Sequence, residues 1–101
     1  MERPICHKFE EASNILSKRW VGLIVHQLLL GPKRFNTLQQ EVALSGKVLS
    51  QRLKELESLN IVSRTIYDET PVRIEYALTH KGKALEPVLN EIEKWSQSWI
   101  E

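Results

Sequence analysis

The sequence has little of several features that mark other classes of protein. It contains one cysteine, Cys6, among 101 residues, which excludes an intrachain disulfide framework and a multi-cysteine zinc cluster. Its 4 Gly and 4 Pro are too few for a fibrous or low-complexity chain. Neither sign of charge dominates, because 14 Lys and Arg face 13 Asp and Glu. Net charge alone therefore indicates no nucleic-acid or membrane partner.

Long apolar runs and enzyme motifs are also absent from the sequence. The apolar stretch from Val21 to Leu30 is interrupted by His26 and Gln27 and is too short to cross a bilayer. The three histidines are widely scattered, and no metal-binding spacing, phosphate-binding loop or nucleophile motif occurs. We therefore expect a cytoplasmic protein with no membrane partner, cofactor, metal site or enzymatic activity.

Hydrophobic periodicity predicts a mainly helical α+β domain that spans residues 1–101. The hydrophobic fraction of 42% is that of an ordinary globular chain with one core. Apolar positions recur at helical spacing in five segments, which are residues 8–17, 20–30, 34–42, 45–59 and 79–100. Residues 61–78 alternate with a period of two on either side of a turn at 68–71, which predicts a β-hairpin.

The fourth predicted helix begins with a serine cap and has two distinct faces. Leu49, Leu53 and Leu56 form an apolar stripe, and the opposite face is polar and basic. A short helix followed by this one and by a hairpin is the layout of a winged helix-turn-helix, whose second helix enters the DNA major groove. The predicted DNA contacts are Ser45, Lys47, Ser50, Gln51 and Lys54 on the helix, with Arg64 and Arg73 on the hairpin.

These side chains suit different parts of DNA. The amide of Gln51 can pair with adenine, Ser50 can contact a base or a phosphate, and the lysines neutralise phosphates. Two other interpretations stay open: the polar face is only a solvated helix surface, or the winged helix docks a protein partner. Affinity that falls steeply as salt rises distinguishes a DNA binder from a partner-docking module.

Three blocks of sequence carry a resemblance to a known family. They are residues 31–35 (GPKRF), 50–56 (SQRLKEL) and 69–79 (ETPVRIEYALT), and Cys6 and the step at residues 18–20 fit the same pattern. In this order the chain resembles the HxlR family of bacterial winged helix-turn-helix transcriptional regulators. The resemblance implies a dimer held by the first and last helices, a palindromic operator on double-stranded DNA, and usually repression of neighbouring genes.

The last predicted helix has more apolar surface than a chain of this length is expected to cover. A large apolar patch of this kind usually marks an interface, which predicts a homodimer. The alternative is that the helix folds back on its own domain. The predicted dimer contacts are Phe9 in the first helix and Leu89, Ile92, Trp95 and Trp99 in the last.

Cys6 is the residue with a distinct reactive chemistry. Its neighbours Arg3, His7 and Lys8 would favour the reactive thiolate. Family members with cysteine at this position include regulators that release DNA after reaction with quinones, other electrophiles or oxidants, so the resemblance implies a thiol sensor. The alternative is a buried packing residue. Because no second cysteine exists, we favour alkylation or a mixed disulfide, although a Cys6 to Cys6 bridge across the dimer stays open.

Overall fold

Six helices and three strands make up residues 6–101, the part of the chain that the computed structural model describes. In chain order they are α1 (His7–Ser17), α2 (Val21–Leu28), β1 (Lys33–Arg34), α3 (Phe35–Val42), α4 (Gly46–Ser58), β2 (Val62–Tyr67), β3 (Arg73–Leu78), α5 (His80–Lys83) and α6 (Glu86–Trp99). This order confirms the predicted mainly helical α+β fold. The unit formed by α3, α4 and the β2–β3 hairpin is that of a winged helix-turn-helix.

The strands form one antiparallel sheet in the order β1-β3-β2. In the hairpin Val62 pairs with Leu78 and Tyr67 with Arg73, so the predicted wing is present. Strand β1 was not predicted, because its two residues carry no alternating pattern and owe their extended form to pairing with β3. Lys33 lies opposite Tyr76 in that pairing.

The core lies between α2, α3 and α4 and the base of the hairpin. The predicted stripe of α4, Leu49, Leu53 and Leu56, is fully buried in it. Ile24 and Leu38 fill the facing positions on α2 and α3. Because the core holds one face of α4 so tightly, the opposite face points to solvent.

Helix α2 is shorter than predicted and only partly buried. It begins after Trp20, whose left-handed backbone (φ 77°) breaks the helix from α1. Its end leads into Gly31, whose φ of 136° favours glycine. Leu23 and Leu30 remain exposed, so the run that is apolar on nearly every face, which predicts a buried central helix, is buried on one side only.

A carboxylate ties β1 to the two helices beside it. Glu41 on α3 accepts a hydrogen bond from Gln27 Nε2 on α2 (2.9 Å) and from Lys33 Nζ on β1 (3.2 Å). The hydrogen bond from Lys33, and after it the bond from Gln27, hold the pKa of Glu41 below its usual value. The ionised carboxylate therefore fixes the edge of the small sheet against α3.

Helix α6 divides its apolar side chains between two faces. Leu89 is only 7% exposed and belongs to the core of its own chain, whereas Ile92, Trp95 and Trp99 point to solvent. The prediction that Leu89 contacts a partner chain therefore needs correction, because α6 uses this face to pack on α2. The exposed residues keep their place as predicted dimer contacts.

Candidate nucleic-acid interface

Ser45 fixes the start of the exposed helix α4. Its backbone is extended (φ −65°, ψ 152°), and its hydroxyl accepts a hydrogen bond from the Val48 amide at 3.2 Å. This is the predicted N-cap. Since a hydroxyl that accepts one hydrogen bond can still donate another, Ser45 can cap the helix and also contact a phosphate.

The outer face of α4 presents the other predicted DNA-binding side chains together. Lys47, Gln51 and Lys54 are exposed, and Ser50 is half-buried beside them. Within residues 6–101, no ion pair involves either lysine. Two unpaired ammonium groups flanking an amide form a surface suited to phosphates on either side of a base contact.

The two arginines of the wing lie in different surroundings. Arg64 on β2 is exposed. Arg73 on β3 is held inside the wing, because its guanidinium is 3.0 Å from Glu69 Oε1, 2.9 Å from Glu75 Oε2 and 4.0 Å from the ring centre of Tyr67. Arg64 is thus the wing arginine that is accessible to a ligand, while Arg73 braces the two strands.

Two further residues of α4, Arg52 and Glu55, were not among the site residues predicted from the sequence. Arg52 Nε donates a hydrogen bond to the Arg19 carbonyl oxygen at 3.0 Å, and its guanidinium also pairs with Glu55 at 3.2 Å. The Glu55 carboxylate in turn lies 3.0 Å from Lys18 Nζ. The spacing of Arg52 and Glu55, three residues apart on a helix, was a detectable signal, but their partners Lys18 and Arg19, just beyond α1, were not.

Cys6 is exposed and lies at the start of α1. It takes the N-cap position with an extended backbone, and its carbonyl oxygen accepts a hydrogen bond from the Glu10 amide at 3.0 Å. His7 Nε2 lies 3.0 Å from Glu11 Oε1 one turn along the helix. Of the predicted basic neighbours, Lys8 is exposed and Arg3 lies outside the described residues. The thiol is open to a small reagent rather than packed in the core.

Exposed apolar side chains collect on α1 and α6. The exposed fraction is 69% for Phe9, 53% for Ile92, 59% for Trp95 and 73% for Trp99. Large apolar side chains that are this exposed are the kind of surface through which chains associate when they lie together. These are four of the five residues predicted to form the dimer contact.

Metal and membrane sites are not evident in the described part of the chain. Across residues 6–101 no three His, Cys, Asp or Glu side chains are grouped so that they could hold a metal ion. None of the helices in that range is long and apolar enough to cross a membrane.

Comparison with known proteins settles which family the geometry represents. The family model described as HxlR-like helix-turn-helix matches residues 15–101. The chain belongs to this family. It is an HxlR-type transcriptional regulator, as its sequence blocks indicated, and the helix-turn-helix is a DNA-binding unit of that class.

The relatives of this HxlR-type chain are regulators as well. The uncharacterized HTH-type transcriptional regulator YvaP of Bacillus subtilis is 58% identical over 98 residues, which are 96% of this chain and 91% of YvaP. The reduced form of the transcriptional regulator YodB from the same species superposes with a TM-score of 0.88 at 45% identity, covering 97% of each chain. The crystal structure of quinone-bound YodB gives 0.82 at 42% identity and covers 94% of this chain and 100% of that one.

Proposed function

We propose that this protein is a homodimeric repressor that binds a palindromic operator through α4 and the wing and is controlled by the Cys6 thiol. The observation that carries the proposal is the exposed polar face of α4. The Ser45 cap fixes the start of this helix, and the buried leucines hold its opposite face in the core. Such a regulator acts in the cytoplasm, on the DNA beside the genes that it controls.

The DNA contacts follow from the position of each side chain on α4 and the wing. Gln51, near the middle of the exposed face, reads a base edge, and the half-buried Ser50 supports it. Lys47 and Lys54 neutralise phosphates of the two strands that border the groove. Ser45 contacts a phosphate at the start of α4, Arg64 contacts the flanking backbone, and Arg73 contributes chiefly by bracing the wing.

Dimerisation follows from the exposed apolar residues of α1 and α6. One α4 reads only a few base pairs, whereas two copies related by a twofold axis read half-sites about 34 Å apart, roughly one helical turn. Burial of Phe9, Ile92, Trp95 and Trp99 against the same residues of a second copy would join the copies. The dimer therefore supplies both stability and operator specificity.

Control by Cys6 follows from its exposure on the helix that carries Phe9. The quinone-bound structure of YodB supports a quinone as the reagent. The Cys6 thiolate attacks an electron-poor ring carbon, a sulfur–carbon bond forms, and the ring π pair moves to the carbonyl oxygen. That oxygen takes up the proton lost by the thiol. The hydrogen on the attacked ring carbon then leaves as a proton for the second carbonyl oxygen, its C–H electron pair restores the aromatic ring, and a hydroquinone thioether remains on Cys6. The added ring enlarges the side chain at the start of α1 and disturbs the dimer.

A salt titration tests the DNA contact. Fluorescence anisotropy would follow binding of the reduced protein to labelled DNA from upstream of its own and adjacent genes, against unrelated competitor DNA, at several salt concentrations. We expect affinity to fall steeply with salt, and Lys47→Gln to lower the slope of log K against log salt by about 1 per contacting phosphate. The matched control is Lys94→Gln, which removes the same charge from the exposed surface of α6.

The outcome of that titration separates the competing functions. A slope changed by Lys47→Gln and unchanged by Lys94→Gln supports the assignment of α4 to DNA. Equal slopes for both variants, or no preference over competitor DNA, would overturn it and favour a winged helix that docks a protein.

A further inference from the structure

Helix α1 is connected to the body of the chain by few contacts. None of its described residues is buried, and Ile15 is the α1 side chain that packs partly against the core cluster. A polar connection accompanies this apolar one: the Lys18 ammonium just beyond α1 lies 3.0 Å from the Glu55 carboxylate of α4. This ion pair therefore joins Ile15 in fixing the end of α1 relative to α4.

The Glu55 carboxylate also takes part in a second connection, in which Arg52 joins α4 to the segment between α1 and α2. Both oxygens of Glu55 accept hydrogen bonds from Arg52 Nη1 at 3.2 Å, and Arg52 Nε donates to the Arg19 carbonyl oxygen at 3.0 Å. Arg52 side-chain exposure is 18% and that of Glu55 is 30%, so water screens this pair less than a fully exposed one, whereas the Lys18 side chain is 48% exposed. The hydrogen bond from Lys18, ahead of the influence of Arg52, lowers the pKa of Glu55.

The Arg19 carbonyl oxygen, which accepts the hydrogen bond from Arg52, is itself held in place. The Arg19 guanidinium lies 4.3 Å from the ring centre of Trp20, and Trp20 packs against the core with a left-handed backbone. The carbonyl oxygen of Arg19 is therefore a fixed point of the junction between α1 and α2. Arg52 fastens α4 to this point, and Glu55 fastens it to Lys18.

We propose that Arg52 and Glu55 are positioning residues, which set the orientation of α4 for base contact and couple it to α1 through Lys18 and the Arg19 carbonyl. They touch no DNA themselves. The part of the inference that concerns Cys6 rests on the proposed function, whereas the part that concerns DNA affinity does not.

Glu55→Gln tests the proposal because electrostatics and positioning predict opposite signs. Removing a negative charge from a DNA-binding helix, and freeing Lys18, should strengthen binding to any DNA. Loss of the link should instead weaken binding to the specific site by about three- to tenfold, with affinity for unrelated DNA unchanged or higher. The matched control is Glu57→Gln, which removes the same charge from the same helix at a half-buried position.

A second variant keeps the charge constant. Arg52→Lys retains the positive charge but loses the planar fork that reaches Glu55 and the Arg19 carbonyl together. We expect it to lower specific affinity by a similar factor with an unchanged salt slope, since no phosphate contact is lost. Circular dichroism melting would establish that each variant is folded at the assay temperature.

The outcomes distinguish this proposal from the sensing proposal. Specific affinity that is unchanged or higher in folded Glu55→Gln would overturn the positioning role. If quinone treatment weakens DNA binding of the unsubstituted protein, the same treatment should weaken DNA binding of Glu55→Gln by a smaller factor. Weakening by an equal factor would overturn the coupling to α1. Insensitivity of the unsubstituted protein to quinone would remove the sensor, and with it the coupling to Cys6, while the two affinity measurements still decide the positioning role.

Discussion

Replacing Trp95 by Ala should separate the dimer into monomers without unfolding the chain. Trp95 is 59% exposed, and an aromatic side chain of this kind covers about 150 to 250 Å². Burying the exposed part in an interface at about 25 cal/mol per Å² contributes about 2 to 4 kcal/mol per copy. Because a symmetric dimer buries two copies and about 1.4 kcal/mol is a factor of ten, the dissociation constant should rise by about 1,000-fold or more.

Sedimentation equilibrium over a range of protein concentrations measures this change. A matched pair of variants controls it: Ile92→Ala on α6 and Ile66→Ala on the wing remove the same side chain at exposures of 53% and 57%. We expect Ile92→Ala to weaken association and Ile66→Ala to leave it intact. A tight dimer in Trp95→Ala, or equal weakening by the two isoleucine variants, would refute the assignment of the interface to α6.

Two further predictions concern the body of the fold. Gly82→Ala should destabilise the protein by about 1 to 3 kcal/mol or more, because a Cβ there collides with the Ile61 carbonyl oxygen; a melting temperature within a degree of the unsubstituted protein would contradict this close approach. Glu41 has a pKa below its ordinary value of 4.5 in the folded chain, so its contribution to stability is present above that ordinary value and is lost as the pH falls through the lower pKa of the folded state. Acid titration of unfolding should therefore show a weaker pH dependence in Glu41→Gln, and identical curves would remove the role of this carboxylate.

The parts of the fold that were predictable are those encoded by local periodicity. The leucine stripe of α4, its Ser45 cap and the alternating strands of the wing each leave a pattern within a few neighbouring residues. Strand β1 left none, because Lys33 becomes extended only through its pairing with Tyr76 far along the chain. Helix α2 ends at Leu28, two residues before its apolar run ends at Leu30, because the chain turns there into Gly31 with its positive φ of 136°.

The candidate site was predictable in composition but not in its internal connections. Exposure of Lys47 and Lys54 follows from the helical projection alone. That Arg73 is engaged by two carboxylates and a tyrosine ring follows only once the hairpin register brings them together. Leu89 and Trp95 likewise belong to one apolar stripe in the sequence. Only the packing of α6 on α2 shows that Leu89 is buried in its own chain while Trp95 is exposed.

The most direct test of the account is anisotropy of labelled upstream DNA titrated with reduced protein, benzoquinone-treated protein and the Cys6→Ser variant at near-physiological salt. We predict that the reduced protein binds specifically, that treatment abolishes this binding, and that binding by Cys6→Ser survives the same treatment. Equal binding before and after treatment would contradict control by Cys6. Absence of any preference over unrelated DNA would contradict the assignment of α4 to an operator.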